Sequence, residues 1–291
     1  MSEPPPDHLF EIAENSLATV SPRSPGPPKQ ELLAERGLVA SPSSPNLLKP
    51  QAYSGVLPRL MEGSAVRRGG AALVIPDYAL RMAILDFEEF PSGEAERSAL
   101  VRFRLRKSVP FPIDEAQVSY SIQLQETKRV EVLAVAIARP ILEEYEAVFT
   151  GAGLRVGLVT PSSIAALPLC PAGERGLTVL AKAAESTFTV LLLEQGRVRL
   201  VRCIDVAGED EARRDPAAVL SLLQQTMAYA EDQIGQSAAR LLLCGFGPET
   251  ESLGRLAEEE FRLPYAAVRS RFGTPSRQNA GLFGLLEQYA A

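Results

Sequence analysis

The chain contains one histidine, His8, in 291 residues, and no Gly-x-Ser-x-Gly turn. The first absence removes most histidine-base and histidine-ligated metal chemistry. The second leaves Ser162, Ser163 and Asp205 without the partners that hydrolysis by a serine nucleophile requires. Cysteine is also scarce. Cys170, Cys203 and Cys244 are odd in number, far apart and set among apolar residues, which predicts no disulfide framework, a reducing compartment and three small core side chains. No run of about twenty apolar residues occurs, and the first residues are Pro-rich and acidic rather than basic and then apolar, so neither a membrane span nor an export signal is expected. A basic excess is missing too: the net charge of -6 argues against a nucleic-acid binder that works by neutralising phosphates. No catalytic residue and no metal ligand is assigned.

What is present is apolar residue, 46% of the chain, enough for two buried cores. Residues 1 to 7 read as a polar leader with a solvated His8 at its end. Leu9–Ala13 is a predicted strand, Glu14-Asn15-Ser16 a bend and Leu17–Val20 a second strand. Four prolines and a glycine from Ser21 to Pro28 predict a loop, and Glu31–Ala40 an imperfect third strand. Gln51–Met61 follows as a helix that Pro58 bends or shortens and Gly63 closes, then Ala71–Pro76 as a buried strand. The order recurs. Leu177–Ala181, Thr187–Leu193 and Arg197–Ile204 are strands, the last two joined by Glu194-Gln195-Gly196. Asp215 and Pro216 open a helix to Ile234, with Val219, Leu222, Leu223, Met227, Ala230 and Ile234 on one face. Arg240–Cys244 leads as a strand into Gly245-Phe246-Gly247. Three strands, a helix and a strand, twice over, predict a duplicated α/β unit. The bends at Glu14-Asn15-Ser16 and Glu185-Ser186-Thr187 echo one another in residue type.

Between the copies, Glu94–Lys107 fits either a helix or an alternating strand. The Ser92-Gly93 start, Glu94 and Glu96 in the first turn, basic residues in the last and Pro110 as a stop favour helix. Ala116–Leu124 and Val130–Ala138 are expected to pair across a polar turn. Pro140 opens a helix from Ile141 to Thr150 whose Ile141, Leu142, Tyr145, Val148 and Phe149 face inward, with Gly151 or Gly153 as its cap. Thr160-Pro161-Ser162-Ser163 reads as the cap of a short helix from Ile164 to Leu167.

Ile75-Pro76-Asp77, Lys107-Ser108-Val109-Pro110-Phe111, Val118-Ser119-Tyr120, Val132–Ala138, Ala152-Gly153-Leu154, Cys244-Gly245-Phe246-Gly247 and Asn279-Ala280-Gly281-Leu282 together resemble the PilM family, cytoplasmic actin-like proteins of type IV pilus and related secretion machines. The resemblance implies an α/β, actin-like fold of two RNase H-like units, 1–175 and 176–291, with a small α+β subdomain inserted at about 87–156. Such proteins bind ATP between the units, on two strand-turn-strand phosphate loops and a glycine-rich adenosine loop, where glycines admit the phosphates and carboxylates hold hydrated Mg²⁺. Here the first loop reads Glu11-Ile12-Ala13-Glu14-Asn15-Ser16, with Ala18 where the family has lysine. The second reads Ala181-Lys182-Ala183, its carboxylate gone, and Phe246 stands in the adenosine loop, either beneath the nucleotide or as core. Glu11, Asn15, Ser16, Lys182, Gly245 and Gly247 are therefore degenerate remnants, and the expectation is a pseudo-ATPase without cofactor. An ATP-binding regulator is the alternative, and a sugar-kinase-like enzyme a third reading. The implied partner is the N-terminal tail of a PilN-like inner-membrane protein, lying in the groove between insert and first unit, with motor ATPase components beyond it. Val109, Pro110, Phe111, Arg102 and Arg106 are the candidate contacts, against the plainer readings of a rigid connector and a solvated helix face. The implied location is the cytoplasmic face of the bacterial inner membrane.

Overall fold

Two five-stranded sheets with the same strand order organise the chain. The computed structural model describes residues 5–64, 69–171, 176–206 and 216–290. The first unit begins β1 (His8–Ile12), β2 (Ser16–Ser21), β3 (Ser24–Leu32), α1 (Pro50–Leu60) and β4 (Gly70–Ile75). The insert follows as β5 (Arg81–Phe87), α2 (Glu94–Leu105), β6 (Ala116–Glu126) and β7 (Arg129–Ala138). The chain then returns through α3 (Arg139–Thr150), β8 (Arg155–Pro161) and α4 (Ser162–Ala165). The second unit is β9 (Leu177–Ala183), β10 (Thr187–Glu194), β11 (Arg197–Asp205), α5 (Pro216–Tyr229), β12 (Ala238–Cys244), α6 (Thr250–Phe261) and β13 (Tyr265–Ala267), and α7 (Ala280–Tyr289) ends the chain.

The sheets run β3-β2-β1-β4-β8 and β11-β10-β9-β12-β13, each with an antiparallel meander and parallel strands beyond it. The central strands are buried on both faces, which is why β4 and β9 read as nearly unbroken apolar runs. Insert strands pair in the order β5-β7-β6. Val101 and Leu105 of α2 pack there against Leu85, Phe87 and Val132, as the helical choice for this segment requires.

Several expectations change. The insert sheet spans Arg81 to Ala138 rather than about 87–156, because α3 sends Ile141, Tyr145, Val148 and Phe149 into the core of the first unit beside Phe10 and Leu73. Position in the chain misleads again at α7, which packs on the first unit through Leu282, Leu285 and Leu286 against Leu9, Ala72 and Val74. The proline-rich stretch is part of β3 rather than a loop, and Glu31–Ala40 is not a strand beyond Leu32. β3 lies at a sheet edge, where Pro25, Pro27 and Pro28 forfeit few ladder bonds. Pro58 sits inside α1 without ending it. His8 is buried at the start of β1, its ring 6.0 Å from that of Phe10, and Asp7 is fixed by backbone and side-chain bonds to Gly70, so neither belongs to a solvated leader. The proposed cap Asp215 lies outside the described residues, and the last turn of that helix, Ala230–Ile234, is π-helical. Cys244 is core, but Cys170 and Cys203 are half-buried. Burial pushes all three thiols up to about 12.

The insert also touches the second unit. Glu131 of β7, 1% exposed at its side chain, lies 2.5 Å from Arg129, 3.4 Å from Arg199 and 3.9 Å from Arg197, as ion pairs without well-directed hydrogen bonds. Gln123 Oε1 accepts the Val198 N–H at 2.8 Å.

At Gly284 an added Cβ would overlap the Ala165 carbonyl oxygen, so α7 and α4 meet backbone to backbone. Gly284→Ala is therefore expected to lower stability by about 1 to 3 kcal/mol or more, measured by urea unfolding. Gly55→Ala in α1, where a Cβ meets nothing within 4 Å, should instead raise it by up to about 1 kcal/mol.

Candidate functional site

The two units face each other across equivalent bends. After β1 the Ala13 N–H donates to Ser16 O at 3.0 Å, and after β9 the Ala184 N–H donates to Thr187 O at 2.9 Å. This geometry corrects the register of the second loop. Glu11-Ile12-Ala13 is matched by Lys182-Ala183-Ala184, and the pairings Glu11 with Ala18 and Lys182 with Thr189 agree. At the position where the resemblance implies a carboxylate stands Lys182, not Ala181, with the opposite charge.

Lys182 is directed into the interface, where its side chain is 2% exposed and its Nζ lies 3.8 Å from Asp77 Oδ2. Asp77 follows β4, and the proline before it ends that strand beside the C-terminal end of β1. Its Oδ1 accepts the Ser163 N–H and its Oδ2 the Thr189 hydroxyl, both at 2.8 Å. Glu11 Oε1 accepts the Ser162 hydroxyl at 2.5 Å and Oε2 the Leu282 N–H at 2.7 Å. Ser162 and Ser163 therefore hold carboxylates instead of capping α4, which has no side-chain cap bond. Burial raises the Glu11 carboxyl above its usual range, an effect that Lys182 and the Ser162 bond oppose. Burial acts to lower the Lys182 ammonium, but Asp77 and Glu11 outweigh it and leave the group above its ordinary value.

The bends themselves are tied together. Glu14 N–H donates to Glu185 Oε2 at 2.7 Å, and the Ser186 hydroxyl donates to Glu14 Oε1. Gln278 Nε2 donates to Asn15 Oδ1 at 2.7 Å and Glu185 Oε1 at 2.6 Å. Ser16 is buried, its hydroxyl without a partner. Behind the bends a cavity of about 20 Å³ remains, room for a single water. In front of them an open groove of about 1270 Å³ is lined by Glu35, Arg36, Gly245, Gly247, Glu249 and Arg277 among others. Gly245 has φ +81°, and a Cβ there would lie 2.7 Å from Ala183 O. Gly247 has φ +57°. The Phe246 ring packs edge-on against Phe188, 6.0 Å away, as core of the second unit.

Mg²⁺ with a triphosphate, implied by the resemblance, does not fit these residues. An ammonium occupies the second carboxylate position, Glu14 and Glu185 face the approach, and the inner cavity admits no phosphate. Among the described residues no group of three or more His, Cys, Asp or Glu side chains could hold a metal ion.

A second concavity, about 670 Å³, lies between the insert and the first unit. Its walls are Ser119 and Tyr120 of β6, Val135 of β7, Leu142 of α3, and Val156 and Leu158 of β8. β8 is the outer strand of its sheet, and Leu158 is 38% exposed. None of the five contacts expected from sequence lines this groove. Val109 and Phe111 pack against the insert core, Arg102 donates to Ile113 O at 2.7 Å and Ala116 O at 3.1 Å, and Arg106 pairs with Asp114 at 3.3 Å. Pro110 is exposed in the same connector.

No family model matches the sequence, and no curated protein matches it. Solved structures do. A PilM–PilN type IV pilus biogenesis complex superposes with a TM-score of 0.79 at 16% identity, covering 98% of each chain. A Bacteroides thetaiotaomicron protein with an actin-like ATPase fold gives 0.57 at 11% identity, covering 97% of this chain and 95% of that one. The chain has the actin-like fold. The cytoplasmic domain of EpsL, an inner-membrane component of the Vibrio cholerae type II secretion system, gives 0.50 at 14% identity over 97% and 93%. Within this fold, sequence reasoning had placed Glu11 and Lys182 in the cleft but missed Asp77, Arg36 and Gln278. Asp77 was legible from Ile75-Pro76-Asp77, a carboxylate one residue beyond a buried strand. Gln278 carried no signal.

Glu14 gives the cleft a pH dependence. Burial raises its carboxyl from 4.5 to about 7 against the pull of Arg36, and Glu185 and Asp205 add to the rise. The folded state holds this proton more tightly than the unfolded chain, so its contribution is complete below 4.5 and is lost as pH rises through 7. Glu14→Gln should flatten stability against pH across that window, removing a fall on the order of 1 to 3 kcal/mol, measured by denaturant titration at successive pH values. An unchanged slope would exclude Glu14 as its source.

Proposed function

We propose that this chain is an adaptor at the cytoplasmic face of a bacterial inner membrane, docking the N-terminal tail of a PilN-like assembly protein of a pilus or secretion machine, without ATPase activity. The observation that carries this reading is the groove between β6 and β8. An extended peptide could add to the free edge of β8 by backbone hydrogen bonds, while alternate side chains enter the apolar floor around Val135, Leu142 and Leu158. The likeness of the whole chain to the PilM–PilN complex structure supports it, as does the likeness to EpsL. No helix among the described residues is long and apolar enough to cross a membrane, so attachment is assigned to the partner. The charge inversion at Lys182 supports the absence of ATP turnover.

The groove in front of the bends favours one alternative, an ATP-binding relative whose nucleotide state tunes docking. Mg-ATP at about a hundred times its dissociation constant would stabilise the fold by roughly 2.7 kcal/mol, and a thermal shift at millimolar Mg-ATP would establish that alternative. For docking itself, calorimetry with a synthetic peptide of the N-terminal tail of a PilN-like protein is expected to show binding. Leu158→Asp, a change at an exposed position, should weaken it at least tenfold, about 1.4 kcal/mol, and leave the melting temperature within a few degrees. Equal affinity in the variant would remove the β8 groove as the site.

A further inference from the structure

The cleft contains a charge arrangement that a merely degenerate nucleotide site does not need. Losing a metal-binding carboxylate would be satisfied by any small neutral residue. Instead the position equivalent to Glu11 carries a lysine whose side chain is 2% exposed, a placement in which an unpaired ammonium is strongly unfavourable. Its surroundings are built for a cation. Asp77 Oδ2 stands 3.8 Å from Nζ, and Glu11 attracts the same ammonium. Each carboxylate is fixed from behind by two donors: Ser162 and the Leu282 N–H on Glu11, Ser163 N–H and Thr189 on Asp77. Carboxylates held in place in this way are what a hard divalent ion would also require. Glu11 and Asp77 belong to the first unit, Lys182 and Thr189 to the second, so the contact spans the interface.

We propose that the Glu11–Asp77 carboxylate pair is a cation site whose resident cation is the Lys182 ammonium, a tethered substitute for a metal ion that holds the two units together without ligand. The assignment rests on reading the cleft as nucleotide-free and adds what keeps it closed. The chain carries its own counter-ion at fixed stoichiometry, so closure does not depend on metal or nucleotide concentration.

Lys182→Met and Lys182→Ala test it by thermal unfolding in chelator, in millimolar Mg²⁺ and in millimolar Mn²⁺. Lys182→Met should melt roughly 6 to 20 °C below the wild type in chelator, as expected for one partner removed from a buried ion pair. Lys182→Ala, which frees space between the carboxylates, should regain about 5 to 10 °C with either metal, while the wild type does not move. A lysine that served only as packing would give the loss without the rescue. Should both single variants fail to fold, Glu11→Gln combined with Lys182→Met decides the matter. Recovery of a soluble fold when the partner charge is removed supports the assignment, and an insoluble double variant overturns it. A Lys182→Met protein that melts with the wild type, a Lys182→Ala protein indifferent to metal, or a wild type stabilised by metal as much as Lys182→Ala also overturns it. Mg-ATP stabilising the wild type alongside a metal-rescued Lys182→Ala would sink the nucleotide-free reading and still support Lys182 as the cation.

Discussion

An ammonium and two carboxylates taken out of water each cost several kcal/mol unless they are paired and hydrogen-bonded. That constraint governs the centre of this molecule. Glu11, Asp77 and Lys182 come from the ends of β1, β4 and β9, the middle strands of the two sheets, and no exposed position is open to them. The fold meets the cost with donors drawn from three further elements: Ser162 and Ser163 of α4, Thr189 of β10 and the first turn of α7. α7 is the last helix of the chain, yet it lies on the first unit because its N–H groups are needed at Glu11 and its Leu282, Leu285 and Leu286 complete that unit's core. The helix is held close by glycines: a Cβ at Gly281 would lie 2.6 Å from Val74, and one at Gly284 would meet the Ala165 backbone.

The repeated order of three strands, a helix and a strand was legible in the sequence because the central strands are buried on both faces and advertise themselves as apolar runs. The edge strands of the first sheet were not. β3 was hidden by prolines that only an edge tolerates, and β8, Arg155-Val156-Gly157-Leu158-Val159-Thr160-Pro161, has neither clean alternation nor a continuous apolar run. Both edges owe their conformation to one neighbouring strand, which no local pattern records. The insert boundaries were misplaced for a related reason. α3 and α6 are equivalent crossover helices between the fourth and fifth strands of their sheets, but the insert precedes α3 and makes it read as part of the excursion.

The site was legible in composition and wrong in register. Two small residues flank Lys182, so Ala181-Lys182-Ala183 aligns as easily as Lys182-Ala183-Ala184. Only the hydrogen bond closing the second bend, Ala184 N–H to Thr187 O, decides between them. A shift of one residue matters because neighbouring side chains on a strand point to opposite faces. In the first alignment the carboxylate is deleted and lysine faces elsewhere; in the observed one it is replaced by its opposite charge. Glutamates at Glu14 and Glu185 extend the logic. They face each other at the mouth, each accepting hydrogen bonds from the other loop, and an anion entering there would compete with both carboxylates for the same donors.

The cleft and the β6–β8 groove share a boundary. β8 ends at Pro161, and the next two residues are the pair that grips the cleft carboxylates: Ser162 on Glu11 and Ser163 on Asp77. Any rearrangement of those carboxylates, such as release of a bound cation would cause, must pull on the end of the strand that forms one wall of the groove. A cation that is part of the chain removes that event. Under the proposed assignment, with Lys182 held by β9 and the carboxylates by α4 and α7, the end of β8 would keep one position, and Val156 and Leu158 would present the same surface whatever the concentrations of nucleotide and metal. The Glu131 contacts to Arg197 and Arg199, and Gln123 to Val198, anchor the opposite wall to the second unit independently. Both walls of the groove are thus referred to the same rigid body, and a peptide bound there would meet a preformed surface, losing affinity only to its own ordering.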